Sequence, residues 1–92
     1  MKSFTDLEVW NEARKLVNSV YLMSNKFPES ENYGITSQIR KCAVSIPSNI
    51  AEGCGRQSSK ETIHFLHISR GSLFELETQI YISFDQKYIT KK

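Results

Sequence analysis

The sequence predicts an all-α protein, an antiparallel up-down helical bundle in one domain over residues 1–92. Two observations support this fold class. Apolar residues recur every three or four positions through three long segments, which is the spacing of a helix face. No segment shows the apolar–polar alternation of a strand. Capping and turn residues separate the segments and predict helices at about 5–23, 36–52 and 59–86.

The first helix is predicted to open at Thr5. Thr5 and Glu8 have the spacing of a capping box, in which the two side chains bond free backbone N–H groups reciprocally. The helix should end near Met23, because Pro28 favours extended backbone at Phe27. One broad face carries the apolar residues Val9, Trp10, Ala13, Leu16, Val17, Val20 and Tyr21.

The second helix contains the stretch SIPSNIAEG, residues 45–53, where a proline either ends or bends the helix. Thr36 is the predicted N-cap. The apolar stripe keeps one direction on both sides of Pro47, through Ile35, Ile39, Cys42, Ala43, Ile46 and Ile50. If the helix ended before Pro47, Ile50 would not be expected to lie on the same side as the preceding apolar residues. We therefore expect a kinked helix that continues to Glu52.

The third helix is predicted to open with a second capping box, Ser58-x-x-Glu61. Its main apolar stripe, with Phe74 and Tyr81 beside it, consists of Ile63, Leu66, Leu73, Leu76, Ile80 and Phe84. Arg70 and Glu77 project next to that stripe, where a charged side chain should be paired. They either face a ligand or form an ion pair within the chain or between chains.

The charge balance argues against a strongly basic binding protein. Twelve Lys and Arg oppose ten Asp and Glu, which gives a net charge of +2. Dedicated nucleic-acid binders usually carry a larger excess, so a basic footprint must come from clustering or from repetition in an oligomer. Four residues flank the second helix and the turn after it, and they are the candidate nucleic-acid-binding residues: Arg40, Lys41, Arg56 and Lys60. The alternative is a solvated, charge-mixed surface, since no interleaved aromatic residue indicates base stacking.

Catalytic and metal-binding patterns are weak. Glu61-x-x-His64, with His67 one turn on, resembles half of a di-metal site, but the chain has no second half. Cys42 lies on the apolar stripe, and Cys54 has no His or acidic partner near it in sequence. We expect no catalytic residue, metal site, cofactor or small-molecule substrate. Two cysteines without a disulfide framework, and no long apolar run, lead us to expect a cytoplasmic protein without membrane contact.

Three stretches of the chain carry a family resemblance: FTDLEVW, FPESENYGITSQIRKCAVSIPSNIAEGCGR and GSLFELETQIYIS. They resemble the bacterial four-helix-bundle protein family whose early members were noticed as products of intervening sequences in large-subunit ribosomal RNA genes. The resemblance covers residues 4 to about 84. That family is similar to the accessory proteins of diversity-generating retroelements, which are basic, act beside a reverse transcriptase and bind nucleic acid.

The resemblance implies a four-helix up-down bundle that assembles as a ring-like homopentamer and is not an enzyme. It also implies that Arg40, Lys41 and Arg56 occupy basic positions characteristic of the family. The sequence ends at Lys92, about where the fourth helix of the family begins, so three helices of that pattern are present. A bundle without this helix exposes part of its apolar face. We expect another chain to cover that face, by oligomerisation or helix exchange.

Two functional hypotheses follow from these observations. The first is a non-enzymatic, homo-oligomeric helical protein that serves as a nucleic-acid-associated accessory or scaffold, with RNA or DNA as its second partner. The alternative is a protein–protein interaction module that uses the exposed apolar helix face and binds no nucleic acid.

Overall fold

The computed structural model of the protein describes residues 3–90. These residues form no strand and fold into three α-helices: α1 (Glu8–Ser24), α2 (Ile35–Cys54) and α3 (Ser59–Asp85). Two short 3-10 turns precede α1 and α2, at Phe4–Asp6 and Glu29–Glu31. The all-α helical bundle predicted from the sequence is confirmed.

The start of α1 differs from the prediction. Ser3 caps the 3-10 turn, because its Oγ accepts a hydrogen bond of 3.2 Å from the backbone N–H of Thr5. α1 begins after Leu7, whose side chain makes no capping hydrogen bond. Asn11 then ties the turn to the helix, since its Nδ2 donates to the carbonyls of Thr5 and Leu7 at 3.0 Å each. The predicted capping box at Thr5 is therefore wrong, because Thr5 lies inside the preceding turn.

The start of α2 also uses a different cap from the one predicted. α2 begins at Ile35, and Thr36 is buried in its first turn, so Thr36 is not the N-cap. The N-cap residue is Gly34, and the Glu31 carboxylate satisfies the first N–H of the helix, since its Oε1 accepts from the backbone N–H of Ile35 at 3.3 Å. Gly34 leaves room for it, because a Cβ at that position would collide with the same carboxylate oxygen. The cap thus comes from the preceding turn.

α2 passes through Pro47 without a break and ends at Cys54, two residues beyond the predicted end. The expectation that the helix continues past Pro47 is confirmed. The proline lacks an N–H group to donate to the previous turn. Polar side chains next to it add hydrogen bonds to that turn: Ser45 Oγ donates to the Cys42 carbonyl at 2.7 Å, and Ser48 Oγ donates to the Val44 carbonyl at 2.8 Å.

The core centres on α2, which packs against α1 on one side and α3 on the other. α2 contributes most of the buried residues of the described chain: Thr36, Ile39, Cys42, Ala43, Ile46, Pro47, Ile50 and Gly53. α1 adds buried Ala13, Val20 and Ser24. A helix that is covered on two sides buries a wider sector than a helix covered on one side, which fits the long unbroken stripe of α2.

Small and polar side chains mediate the α2–α3 contact. The predicted N-cap of α3 is confirmed, since Ser58 Oγ accepts from the Glu61 N–H at 3.2 Å. Further along, the buried Ser69 Oγ donates to the Ile46 carbonyl at 2.9 Å. The face that α3 turns to α2 buries only Ser69, Leu76 and Ser83. Of the predicted apolar stripe on α3, only Leu76 is buried.

An open apolar groove separates α1 from α3. In the described residues, no Cα atom of α1 comes within 8 Å of one in α3. The groove has two sections with volumes of about 360 and 490 Å³. We call it the α1–α3 groove; its apolar lining consists of Val9, Ala13, Leu16, Ile46, Ile50, Leu66, Leu73, Phe74, Leu76, Ile80 and Tyr81. In an up-down four-helix bundle, a fourth helix occupies this position between the first and the third.

Candidate nucleic-acid interface

The four candidate basic residues form two pairs at opposite ends of α2. Arg40 and Lys41 lie in its second turn, whereas Arg56 and Lys60 lie beyond its last residue, Cys54. A helix rises about 1.5 Å per residue, so the pairs are roughly 20 Å apart. One chain therefore does not bring all four together into one site.

Arg40 is engaged in structural contacts. Its Nε donates to Ser24 Oγ at 2.7 Å, and its Nη2 donates to Asn25 Oδ1 at 2.8 Å. Its guanidinium carbon lies 4.6 Å from the centre of the Tyr21 ring. These partners lie at the carboxyl end of α1, where a cation also interacts favourably with the helix dipole. Arg40 thus joins α2 to α1, and less of its charge remains available to a ligand.

Lys41 is the free cation of this pair, and it borders a polar surface depression of about 510 Å³. We call it the Tyr33 depression; its lining consists of Tyr21, Asn32, Tyr33, Thr36, Ser37, Arg40 and Lys41. The Tyr33 ring is fully exposed. The Thr36 hydroxyl is buried and has no hydrogen-bond partner among the described residues. The depression thus places an exposed aromatic ring beside a free ammonium group.

Sequence reasoning missed the two tyrosines, because it considered only aromatic residues interleaved with the basic residues along the chain. Tyr21 lies in the last turn of α1 and Tyr33 lies in the following loop, so neither is interleaved with the basic residues along the chain. Only the turn between α1 and α2 brings them beside Arg40 and Lys41. A tyrosine followed by a glycine in a short polar loop is the sequence signal that could have indicated this site.

The second pair is partly neutralised. Arg56 lies 3.5 Å from the carboxylate of Glu52, and its guanidinium carbon lies 4.6 Å above the centre of the Phe65 ring. Lys60 is exposed in the first turn of α3. This pair could add phosphate contacts at the far end of α2, but it has no exposed aromatic ring comparable to Tyr33.

Neither cysteine has the surroundings of a nucleophile. The Cys42 thiol is buried and donates to the Ser72 carbonyl with a distance of 3.1 Å. Burial raises the pKa of Cys42 from 9.0 to about 11, and the nearby Glu75 carboxylate adds to this rise. The thiol is therefore protonated at neutral pH. Cys54 is a free, half-buried thiol at the end of α2.

The Glu61-x-x-His64 pattern serves local packing. The backbone of Glu61 is part of the helix cap, and the His64 ring packs edge-on against Phe65 with centres 5.4 Å apart. Among residues 3–90, no three His, Cys, Asp or Glu side chains are grouped closely enough to hold a metal ion. Within the same range, no helix has both the length and the apolar composition that a membrane span needs.

The comparison with known proteins agrees with the resemblance seen in the sequence. The family model of the 23S rRNA-intervening sequence protein matches residues 5–92. No curated protein matches the chain. The three helices α1, α2 and α3 all lie within the matched segment. Because the match covers nearly the whole chain, the protein belongs to the 23S rRNA-intervening sequence protein family.

Proposed function

We propose that the protein is a non-enzymatic, homo-oligomeric helical scaffold that binds nucleic acid as an accessory protein in the cytoplasm. The observation that carries this proposal is the Tyr33 depression, where an exposed aromatic ring lies beside the free ammonium group of Lys41. An aromatic ring and a cation together bind single-stranded nucleic acid without strong sequence preference, because the ring stacks on a base and the cation contacts a phosphate.

Repetition in an assembly compensates for the low charge of one chain. The net charge is only +2 per chain, and the two basic pairs lie at opposite ends of α2. An oligomer repeats the Tyr33 depression once per subunit, so weak individual contacts combine by avidity. We therefore expect affinity to depend on assembly as well as on Lys41 and Tyr33.

Fluorescence anisotropy with labelled single-stranded RNA, a structured RNA and duplex DNA tests the proposal across a salt series. Binding should weaken as salt rises, with a slope that counts the phosphates contacted. Tyr33→Ala should lower affinity about 5- to 100-fold, as loss of one stacked base does. Lys41→Ala should lower affinity and reduce the slope by about one phosphate.

Lys15→Ala is the matched control, because it removes the same charge from an exposed position on α1 whose only described partner is Glu12. Arg40 is a poor probe, since its loss also removes the link between α2 and α1. Flat anisotropy at low salt with all three probes would contradict the proposal. An equal loss of affinity in Lys15→Ala and Lys41→Ala would contradict the assignment to the Tyr33 depression.

The α1–α3 groove favours a second candidate, a protein-interaction module without nucleic-acid binding. Exposed apolar patches rimmed by polar residues mark protein contacts. This function predicts no change in the anisotropy of labelled RNA or DNA. It also predicts that binding of a partner protein survives nuclease treatment. Leu73→Glu, which places a charge in the groove, should abolish that binding.

A further inference from the structure

A second polar surface depression, with a volume of about 450 Å³, lies between α2 and α3. We call it the α2–α3 depression; its lining consists of Gln38, Lys41, Cys42, Ser45, Glu75 and Gln79. Lys41 also lines the Tyr33 depression, so the two depressions are neighbours on one surface. Neither of them shares a lining residue with the α1–α3 groove, so they are formed independently of what occupies that groove.

The α3 side of the α2–α3 depression offers hydrogen-bond acceptors. Glu75 is exposed and has no ion-pair partner among the described residues. Its carboxylate contributes to the raised pKa of the buried Cys42 thiol, which places it on the side of α3 that faces α2. One turn further along α3, the Gln79 Oε1 is buried and has no hydrogen-bond partner within residues 3–90. A buried acceptor is costly until a ligand or a water molecule donates to it.

The α2 side leaves these acceptors unanswered. The Ser45 hydroxyl lies 2.7 Å from the Cys42 carbonyl oxygen and 2.6 Å from Ser72 Oγ, so its hydrogen bonds are already made. The Cys42 thiol donates to the Ser72 carbonyl. Lys41 forms no ion pair with Glu75 in the described part of the chain. The depression therefore suits a ligand that carries hydrogen-bond donors of its own.

The two depressions together match two consecutive nucleotides of a single strand. The exposed Tyr33 ring lies in one depression, the acceptors lie in the other, and Lys41 borders both. In a nucleic-acid strand, a phosphate links two nucleotides and thus lies between two bases. A base stacked on Tyr33 and a phosphate at Lys41 bring the neighbouring base to the α2–α3 depression. The Glu75 carboxylate repels a phosphate there but accepts hydrogen bonds from the edge of a base.

The arrangement of donors on the base favours guanine. A carboxylate has two oxygens and accepts two neighbouring hydrogen bonds side by side. Guanine carries two adjacent donor groups, N1–H and N2–H, on its Watson–Crick edge, which is the edge that proteins contact in unpaired bases. Adenine and cytosine have a single amino group on that edge, and uracil has only N3–H. The second proton on guanine N2 remains available to a further acceptor such as Gln79 Oε1.

We propose that the α2–α3 depression binds an unpaired guanine next to the base that stacks on Tyr33. Glu75 accepts from guanine N1–H and N2–H, and Gln79 Oε1 accepts the other N2 proton. Because these contacts occupy the Watson–Crick edge, the guanine has to lie in a single strand or a loop. The inference rests on the nucleic-acid part of the proposed function and adds a base preference to it.

Fluorescence anisotropy of the full chain with short labelled uridine strands tests this preference. One central uridine is replaced by guanosine, inosine, adenosine or cytidine. The guanosine strand should bind about 5- to 100-fold more tightly than the all-uridine strand, as a bidentate base contact does. Inosine is the sharpest comparison, because it keeps N1–H and lacks only the amino group of guanine. It should bind more weakly than guanosine.

Glu75→Gln should abolish the preference for guanosine without weakening the binding of the all-uridine strand, because it removes the bidentate acceptor together with a negative charge. Gln79→Leu should reduce the preference in the same selective way. Glu77→Gln is the matched control, since it removes the same charge from α3 at the α1–α3 groove, and it should keep the preference. Circular dichroism verifies that every variant is folded.

The outcomes separate the guanine site from the proposed function. Equal affinity of the wild type for all the strands would overturn only the guanine site. A preference that survives in Glu75→Gln would overturn the role of that carboxylate. GMP that binds as tightly as the guanosine strand would overturn the link to the Tyr33 depression. A failure of every strand to bind at low salt would overturn the guanine site and the proposed function together.

Discussion

α2 and α3 are both apolar helices, yet they use their apolar residues differently. α2 has 20 residues and buries eight of them between its two neighbours. α3 has 27 residues and buries three, two of which are serines. Most large apolar residues of α3 remain exposed, on a side that we call the α3 face and that residues 3–90 do not cover: Ile63, Leu66, Leu73, Phe74, Tyr81 and Phe84. Apolar periodicity thus predicts a helix with an apolar face, but it does not say which residues bury that face.

Two matched truncations on α3 should show the largest difference between a buried and an exposed apolar residue. Leu76 is 1% exposed in the α2–α3 contact, whereas Leu73 is 46% exposed on the α3 face. Leu76→Ala should lower the free energy of unfolding by about 3 kcal/mol, since it leaves a cavity in the core. Leu73→Ala should lower it by less than about 1 kcal/mol in dilute solution. Urea unfolding of both variants at low protein concentration measures the two values.

Protein concentration sharpens the same experiment. If chains associate through the α3 face, the cost of Leu73→Ala should grow as the concentration rises, because association stabilises the wild type more than the variant. The cost of Leu76→Ala should change little. Equal losses for the two variants at low concentration would contradict the division of α3 into a buried side and an exposed face.

The next largest effect concerns the polar side of α2. Arg40→Ala should lower the free energy of unfolding by about 1–2 kcal/mol, because it removes charged hydrogen bonds to Ser24 and Asn25. Lys41→Ala, its exposed neighbour, should change stability by no more than about 0.5 kcal/mol. Thermal or urea unfolding of the two variants provides the comparison. A stable Arg40→Ala variant would mean that apolar packing alone holds α1 on α2.

The sequence predicts the helices well because periodicity and capping are local properties. Ile46 and Ile50 lie on the same side of the predicted helix, and this periodicity was enough to predict that α2 continues past Pro47. Ser58 caps α3, as its spacing from Glu61 indicates. The caps at Thr5 and Thr36 were wrong because the helices begin elsewhere. Ser3 caps a 3-10 turn that contains Thr5, and Glu31 accepts from the N–H of Ile35, one residue before Thr36. Where each helix begins depends on how the preceding turn folds.

The candidate site was predictable only in part. Arg40 and Lys41 were identified as a basic pair, but the sequence did not show that Arg40 is held by the end of α1. Tyr33 joins Lys41 only through the fold of the α1–α2 connection. The exposure of Leu66 and Leu73 was equally hidden, because Ser69, Leu76 and Ser83 are the residues of α3 that are buried against α2. Tertiary packing decided each of these points.

Two glycines distinguish close helix packing from open surface. A Cβ at Gly71, on α3, would meet no atom within 4 Å, whereas one at Gly53 would lie 3.1 Å from Phe65 Cβ and 3.2 Å from the Thr62 carbonyl oxygen. Gly71→Ala should therefore raise the free energy of unfolding by about 1 kcal/mol through helix propensity. Gly53→Ala should lose that gain, because backbone atoms of α3 cannot move aside. Thermal melts of the two variants test the contrast, and equal stabilisation would show that α2 and α3 are less tightly packed at this end.

The smallest predicted effect is a pH dependence of the free energy of unfolding, which arises from a thiol buried in the α2–α3 contact. Burial raises the pKa of Cys42 from 9.0 to about 11, with a contribution from the Glu75 carboxylate. The folded state therefore holds this proton more tightly than the unfolded state. The contribution of Cys42 to stability is complete only well below pH 9, and it is lost as the pH rises through 9 toward 11. Between pH 8 and 9 the loss should be about 0.4 kcal/mol.

Urea unfolding of wild type, Cys42→Ala and Cys54→Ala at those two pH values isolates this contribution. Cys42→Ala should remove it, whereas Cys54→Ala should keep it, because Cys54 lies outside the buried contact. A pH dependence that survives in Cys42→Ala would assign the loss to other groups. A loss confined to chains that retain Cys42 would show that α3 covers the thiol in solution. α3 would then be held on α2 by Ser69, Leu76 and Ser83, whereas its other large apolar residues would stay available to a second chain.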